Sequence, residues 1–393
     1  MGLMTFSTGL IAQGIHCSIT TPDRLIYKMK INNSIAILCL FFLLPCVFLL
    51  AAVQPCKGAT QTRVAITGNK WIINGQPVLA DSPAEGLLMN VRMVNAVFED
   101  TGPYADDHLK GFDPETNTER FVQQLPEYVD HGVRAFTISL QGGFPGYEGA
   151  VNSAYNADGS LRAGYLDRVK RVIRKADELG AVIILTCFYQ RQHSHDRELN
   201  GKEAIRNAVS NVAGWIVDQG FTNVVLEISN EYRHPGFGQW SDGKWLQSVS
   251  GQVELIELAK RQAPAVLVST SGMGDGTIAH AIAEVADFIL IHFNYTALDN
   301  YSDRIQSLYG YGKPVVCNED NKVGTFGAIA AHLSVFNKAA WGFMHIEKNQ
   351  KYPFDFEGNK DDRKVYMKLK EVTASKKSIK LPIFYKILIV SDN

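Results

Sequence analysis

The sequence predicts an α/β protein of the (β/α)8 TIM barrel class with a short N-terminal β-hairpin, on three observations. Eight short, almost wholly apolar runs recur along residues 81–374, each followed by an amphipathic stretch. Glycine or proline closes several of those stretches, as Gly132, Gly180, Gly220 and Pro264 do. No glycine-rich phosphate loop follows the first run, so the open doubly wound sheet, the rival parallel arrangement, lacks its usual mark. Strands that are apolar throughout imply a parallel sheet covered by helices.

Residues 1–59 read as an N-terminal extension carrying an export signal. Lys28 and Lys30 precede an uncharged apolar run over residues 35–53, and Cys56, Gly58 and Ala59 follow it. Basic, apolar and small residues in that order form a secretory signal peptide, for which Met29 is a more usual start than Met1. The run also approaches the ~20 residues that span a bilayer, so an uncleaved membrane anchor is the competing reading. Pro45 inside the run favours cleavage. The expected location is outside the cytoplasm: secreted, periplasmic or attached to the cell envelope.

Residues 60–80 form the predicted β-hairpin, turning at Asn74-Gly75, a dipeptide suited to a tight two-residue turn. The eight strands are expected at residues 89–98, 133–140, 181–189, 223–229, 266–270, 287–293, 314–317 and 340–346. The helices between and after them are expected at residues 118–131, 163–179, 202–219, 244–262, 277–285, 302–309, 326–336 and 361–373. The tail over residues 375–393 is basic and then apolar, and too short to span a membrane.

Composition excludes some functions. The 393 residues are 46% hydrophobic and 20% charged, with a net charge of -1. That balance leaves no electrostatic footprint for nucleic acid. Beyond the leader the cysteines are Cys187 and Cys317, both inside apolar runs, and read as buried small residues, not a disulfide framework.

In a barrel the reactive groups stand at the C-terminal ends of the strands. The fourth run ends in Ser229-Asn230-Glu231-Tyr232 and the seventh in Asn318-Glu319-Asp320-Asn321. Two carboxylates on such strands face each other across the mouth, as glycoside hydrolysis requires: one attacks the sugar carbon while the other protonates the departing oxygen. Alternation lets one of Glu319 and Asp320 point inwards, and Glu319 is the choice.

An Asn-Glu pair after the fourth strand and a Glu after the seventh resemble the retaining barrel glycosidases of clan A. Within these the chain is most similar to glycoside hydrolase family 5, the cellulase type, over residues 79–373. The resemblance implies a poly- or oligosaccharide substrate and no cofactor or metal. It implies Glu231 as acid/base, Glu319 as nucleophile and Asn230 on the sugar 2-hydroxyl. It also implies His292 and Tyr295 beside the substrate, with Tyr295 touching the nucleophile, and Trp341 as the floor of the subsite for the reacting sugar. The chain departs from the pattern at two places. The family's second-strand arginine falls near Thr137, leaving Arg92 or Arg134 to replace it, and Tyr232 stands where proline usually follows the acid/base.

Other residues carry plainer expectations. Glu227 is structural, paired with Arg92 or Arg134; Glu99 and Asp100 lie at the mouth; the loop over residues 141–160 borders the cleft. His193 and His195, with His292, His280 and Asp196, raise a metal-dependent hydrolase as an alternative, and solvated loop histidines are preferred to it. Cys317 is expected to pack, not to attack. A non-catalytic carbohydrate-binding barrel is the remaining alternative.

Overall fold

The structure is a computed structural model and describes residues 61–100, 111–142, 152–190 and 199–375. The expected leader, the tail beyond residue 375, His193, His195, Asp196 and the centre of the 141–160 loop lie outside the described residues. Among the described residues no helix is long and apolar enough to cross a membrane.

Eight parallel strands form the barrel: β1 (Asn90–Arg92), β2 (Ala135–Ser139), β3 (Val182–Phe188), β4 (Val224–Ser229), β5 (Val268–Ser269), β6 (Ile289–His292), β7 (Val315–Glu319) and β8 (Gly342–Phe343). Ladders join β8, β1, β2, β3, β4 and β5 in that order, and β6 to β7. Single parallel bridges complete the ring, Ser271 with Leu290 on one side and Val316 with Ala340 and Asp320 with Phe343 on the other. A helix follows each strand: α1 (Pro114–Asp130), α2 (Ala163–Glu178), α3 (Gly201–Asp218), α4 (Val249–Gln262), α5 (His280–Val285), α6 (Tyr301–Gln306), α7 (Gly324–Phe336) and α8 (Arg363–Thr373). The order and hand-off of elements are those expected of the (β/α)8 class.

Several boundaries differ, each for a local reason. The first strand stops at Arg92, and Val94–Val97 coils into a 3-10 turn. Side chains of α1 take its carbonyls instead of a neighbouring strand: Asn117 Nδ2 donates to Asn95 O at 3.0 Å and Thr118 Oγ1 to Ala96 O at 2.8 Å. α1 starts four residues before the expected position, because Asp113 caps Thr116 N at 2.9 Å and Pro114 sits in the first turn. The expected helix over residues 244–262 is broken: Gly243–Leu246 makes one turn, and Ser248 caps a fresh start by accepting from Gly251 N at 2.9 Å.

The N-terminal hairpin is a three-stranded meander, Val64–Thr67, Lys70–Ile73 and Gln76–Pro77. Its second turn places Asn74 and Gly75 at φ 52° and 80°, the left-handed pair the dipeptide was expected to supply. The meander closes the N-terminal end of the barrel, with Val64 N donating to Thr222 O and Trp71 packed edge-on against Phe288 at 5.1 Å.

β8 must pass very close to its neighbours. A Cβ at Gly342 would stand 2.2 Å from Asn90 Oδ1 and 2.6 Å from Asn318 Cα. Gly342→Ala is therefore expected to cost at least about 1–3 kcal/mol, the usual range for overpacking. Urea unfolding measures it, and an unchanged midpoint refutes the contact.

Candidate active site

The site is built where β4 and β7 leave the barrel. After β4 the chain turns sharply, and Glu231 itself adopts φ 51°, a left-handed backbone that costs a non-glycine residue of the order of 1–2 kcal/mol. The turn is held from both sides: Glu231 N donates to Ser271 Oγ at 2.9 Å and Glu231 O accepts from His234 N at 2.6 Å. Strain of this kind persists only where the surroundings dictate it.

β7 carries a bulge. Consecutive residues Ile291 and His292 of β6 face Cys317 and Glu319, leaving Asn318 as the extra residue. Strict alternation is broken there, and both Asn318 and Glu319 turn inwards. Asn318 Nδ2 donates to Glu227 Oε2 at 3.1 Å in the barrel interior, and Glu319 meets Arg92 from β1, whose Nε lies 2.9 Å from Glu319 Oε2. Asp320 turns outwards, where Tyr301 OH and Trp341 Nε1 donate to Oδ2 and Lys322 Nζ to Oδ1. Burial pushes the Asp320 carboxyl up in spite of these donors.

Glu231, Glu319 and His292 converge. His292 Nδ1 lies 3.4 Å from Glu231 Oε1 and 3.6 Å from Glu319 Oε2, and one oxygen of each carboxylate lies within 4.8 Å of the other. Burial alone would raise the Glu319 pKa. Arg92, His292, the Asn294 Nδ2 hydrogen bond at 2.5 Å and His234 outweigh it and hold the carboxyl below the ordinary glutamate range. Burial alone would lower His292; Glu319, Glu231 and Glu227 around it outweigh that and raise it above the ordinary histidine value.

Arg92, Tyr189, Gln190, Asn230, Glu319 and Met344 line a small cavity at this mouth. Asn230 Nδ2 donates to Gln190 Oε1 at 3.1 Å, and its Oδ1 has no hydrogen-bond partner among the described residues. A buried, unpaired acceptor lining a cavity suits a ligand hydroxyl.

The structure thus brings together Glu231, Glu319, Asn230 and His292, and one expected contact, that of Trp341, is corrected. Tyr295 stands 76% exposed after β6, its N–H donating to Gly274 O, and its neighbour Asn294 donates to Glu319. Trp341 is wholly buried and cannot floor a subsite; it stacks on Phe343 and bonds Asp320 on the outer side of the barrel, while Met344 lines the cavity. Residue type matched there, and strand register did not.

The open arginine question closes on Arg92. Arg134 donates to the carbonyls of Val129 and Val133 at the other end of β2. Glu227 has neither arginine as partner: its Oε2 accepts from Thr186 Oγ1 at 2.6 Å and from Asn318. Glu99 is paired with Arg162 and Arg168, and Asp100, pushed up to about 7 by burial, accepts from Asn152. Cys187 and Cys317 are buried free thiols, and burial pushes both up. Sequence reasoning missed Asn294, Gln190 and Met344; their only signal was a place just past the sixth, third and eighth strands.

Glu231, His292 and Glu319 offer donor types that a divalent cation accepts. Arg92 already meets Glu319 with a full positive charge, and a cation bound there would stand against it. The arrangement fits a carboxylate pair better than a metal centre. His280 lies elsewhere, exposed beside Tyr311 and Glu284.

Fold and site together define a (β/α)8 barrel with paired carboxylates at its C-terminal mouth. That fold is shared with solved glycoside hydrolases. An endo-1,4-β-mannanase from Rhizomucor miehei superposes with a TM-score of 0.54 at 12% identity, over 80% of this chain and 100% of its own. A family 5 mannosidase from the same organism gives 0.54 at 12% identity, covering 80% and 97%. A broad-specificity family 5 endoglucanase from Clostridium longisporum gives 0.51 at 9% identity, covering 76% and 99%. No family model matches the sequence, and no curated protein matches it. The structural likeness to family 5 is therefore one of fold, across a wide sequence distance.

Proposed function

We propose that the chain is a retaining glycoside hydrolase, a divergent member of the family 5 type, acting on a β-linked poly- or oligosaccharide outside the cytoplasm. One observation carries this reading: the Glu231 and Glu319 carboxylates meet where β4 and β7 leave the barrel, with an oxygen of each within 4.8 Å of the other. Retaining enzymes place the pair about 5–5.5 Å apart, and inverting ones about 6.5–9.5 Å to admit a water between them.

The chemistry follows from the surroundings of each group. Arg92 and His292 keep Glu319 ionised, so it is the group to attack the anomeric carbon. Glu231 protonates the departing oxygen, then draws a proton from the water that releases the sugar from Glu319. Asn230 Oδ1 takes the sugar 2-hydroxyl. The basic-apolar-small pattern of residues 28–59 supports export, with cleavage and anchoring as its two forms.

The test is the stereochemical course on a panel of aryl β-glycosides, with a 2-fluoro glycoside as trap. The expected product keeps the β configuration at first release, and the trapped label maps to Glu319 by peptide mass spectrometry. An inverted product, or a label elsewhere, sinks the assignment. Glycan binding without any turnover would select the non-catalytic barrel, and activity lost to a chelator would select the metal-dependent hydrolase.

A further inference from the structure

We propose that Glu227 is a positioning residue that keeps the His292 ring doubly protonated beneath Glu231 and Glu319, placing a fixed positive charge at the floor of the pocket. The inference deepens the glycosidase reading, and only its kinetic arm rests on that reading.

Glu227 is wholly buried in the barrel interior. Thr186 from β3 and Asn318 from β7 both donate to Oε2, which pins the carboxylate and aims Oε1 at the ring. Oε1 lies 3.9 Å from His292 Nε2, and neither atom has a hydrogen-bond partner among the described residues. On the opposite edge, Nδ1 faces Glu231 Oε1 at 3.4 Å and Glu319 Oε2 at 3.6 Å. Carboxylate oxygens therefore face both ring nitrogens.

A neutral imidazole carries one N–H and one lone pair. With the proton on Nδ1, the Nε2 lone pair points at Glu227; with the proton on Nε2, the Nδ1 lone pair points at the ionised Glu319 carboxylate, and at Glu231 too once that group has given up its proton. Either tautomer sets a lone pair against an oxygen in a site where little solvent screens the repulsion. Only the doubly protonated ring offers a donor on both edges. The ionisable groups facing it are Glu227 from β4, Glu231 from the turn after β4 and Glu319 from β7, with Arg92 from β1 reaching Glu319. All three that face the ring are acidic, and the raised His292 pKa agrees with that count. The resulting cation assists Arg92 in holding Glu319 ionised.

Glu227→Gln separates this role from packing. Glutamine keeps the volume, and its carbonyl still accepts from Thr186 and Asn318. Its amide N–H then faces Nε2 and turns that nitrogen into an acceptor. The primary measurement is the ¹⁵N spectrum of the His292 ring, assigned by difference against His292→Gln. Two protonated nitrogens are expected in the wild type at pH 7, and one in Glu227→Gln. On an aryl β-glycoside, kcat should fall on the order of 10- to 100-fold with KM changed less than about 3-fold, and the acid limb of kcat/KM should move to higher pH. Glu227→Asp, which keeps the charge, should recover part of the loss.

A singly protonated ring in the wild type at pH 7 overturns the proposal without any variant, which also decides the matter if Glu227→Gln does not fold. A folded Glu227→Gln with an unaltered ring and an unaltered pH profile overturns it equally. Should the wild type turn over no glycoside, the glycosidase reading fails while the ring spectrum still decides the role of Glu227.

Discussion

Glu319→Ala is expected to lower turnover of a dinitrophenyl β-glycoside on the order of 10⁴-fold or more, since it removes the group that forms the covalent intermediate. The variant also leaves Arg92 and the His292 ring facing an empty, positively charged hole where an ionised carboxylate had stood. That hole makes the test sharper. Azide is a small anion that fits a vacated carboxylate site, and the charges that favoured ionised Glu319 favour it too. Added azide should restore turnover and yield a glycosyl azide of inverted configuration, because the anion attacks from the side Glu319 occupied and no second displacement follows. Turnover undiminished in the variant rules Glu319 out as nucleophile. An equal rescue of Glu231→Ala with the same inverted product would exchange the two roles.

Arg92→Gln is the second large effect. Arg92 supplies the largest of the influences that lower the Glu319 pKa, against a burial effect that raises it. Without it, the acid limb of kcat/KM should move to higher pH, and kcat/KM at its optimum should fall on the order of 10²- to 10³-fold. Stability should change with a definite sign. A carboxyl whose folded pKa is depressed contributes stability that is present above the unfolded value, near 4.3, and is lost as pH falls through the folded value. In Arg92→Gln that contribution disappears, and ionised Glu319 becomes a buried charge lacking its closest countercharge. Breaking a buried pair from one side costs about 3–5 kcal/mol. The deficit relative to the wild type should therefore be large near pH 7 and shrink only as pH falls through the depressed folded value of the wild type, below which Glu319 is protonated in both. Parallel urea titrations at pH 7 and at a series of acid pH values measure this. A deficit independent of pH assigns Arg92 a packing role only.

Much of this arrangement was legible before any coordinates. β3 and β4 are apolar apart from Thr186, Glu227 and Ser229 because both their faces are covered, so they stand out as nearly continuous apolar runs. Glu231 and Glu319 were legible because each follows such a run directly, and the C-terminal end of a barrel strand is the mouth. Asn74-Gly75 was legible because few dipeptides accept two left-handed residues in succession. Asp113-Pro114 carries an equally local signal for the start of α1, a capping side chain followed by proline.

What stayed hidden depends on register and on distant partners. Trp341 has the right residue type for a sugar platform, yet it faces outwards to Asp320, and Met344 takes the pocket side. Asn318 and Glu319 point the same way only because a bulge against His292 interrupts the alternation. Arg92 and Arg134 could not be told apart on composition, since the choice turns on which end of the barrel each side chain reaches.

The linear chain determined the eight strand-helix units and the two acidic residues that leave strands four and seven, because hydrophobic period, caps and turn residues act over a few neighbours. Tertiary structure alone decided that Arg92 and His292 meet Glu319, that Glu227 stands under the ring, and that Trp341 leaves the substrate side. Those outcomes depend on side chains far apart in sequence meeting inside a closed barrel, where a single bulge or a one-residue turn redirects what faces inwards.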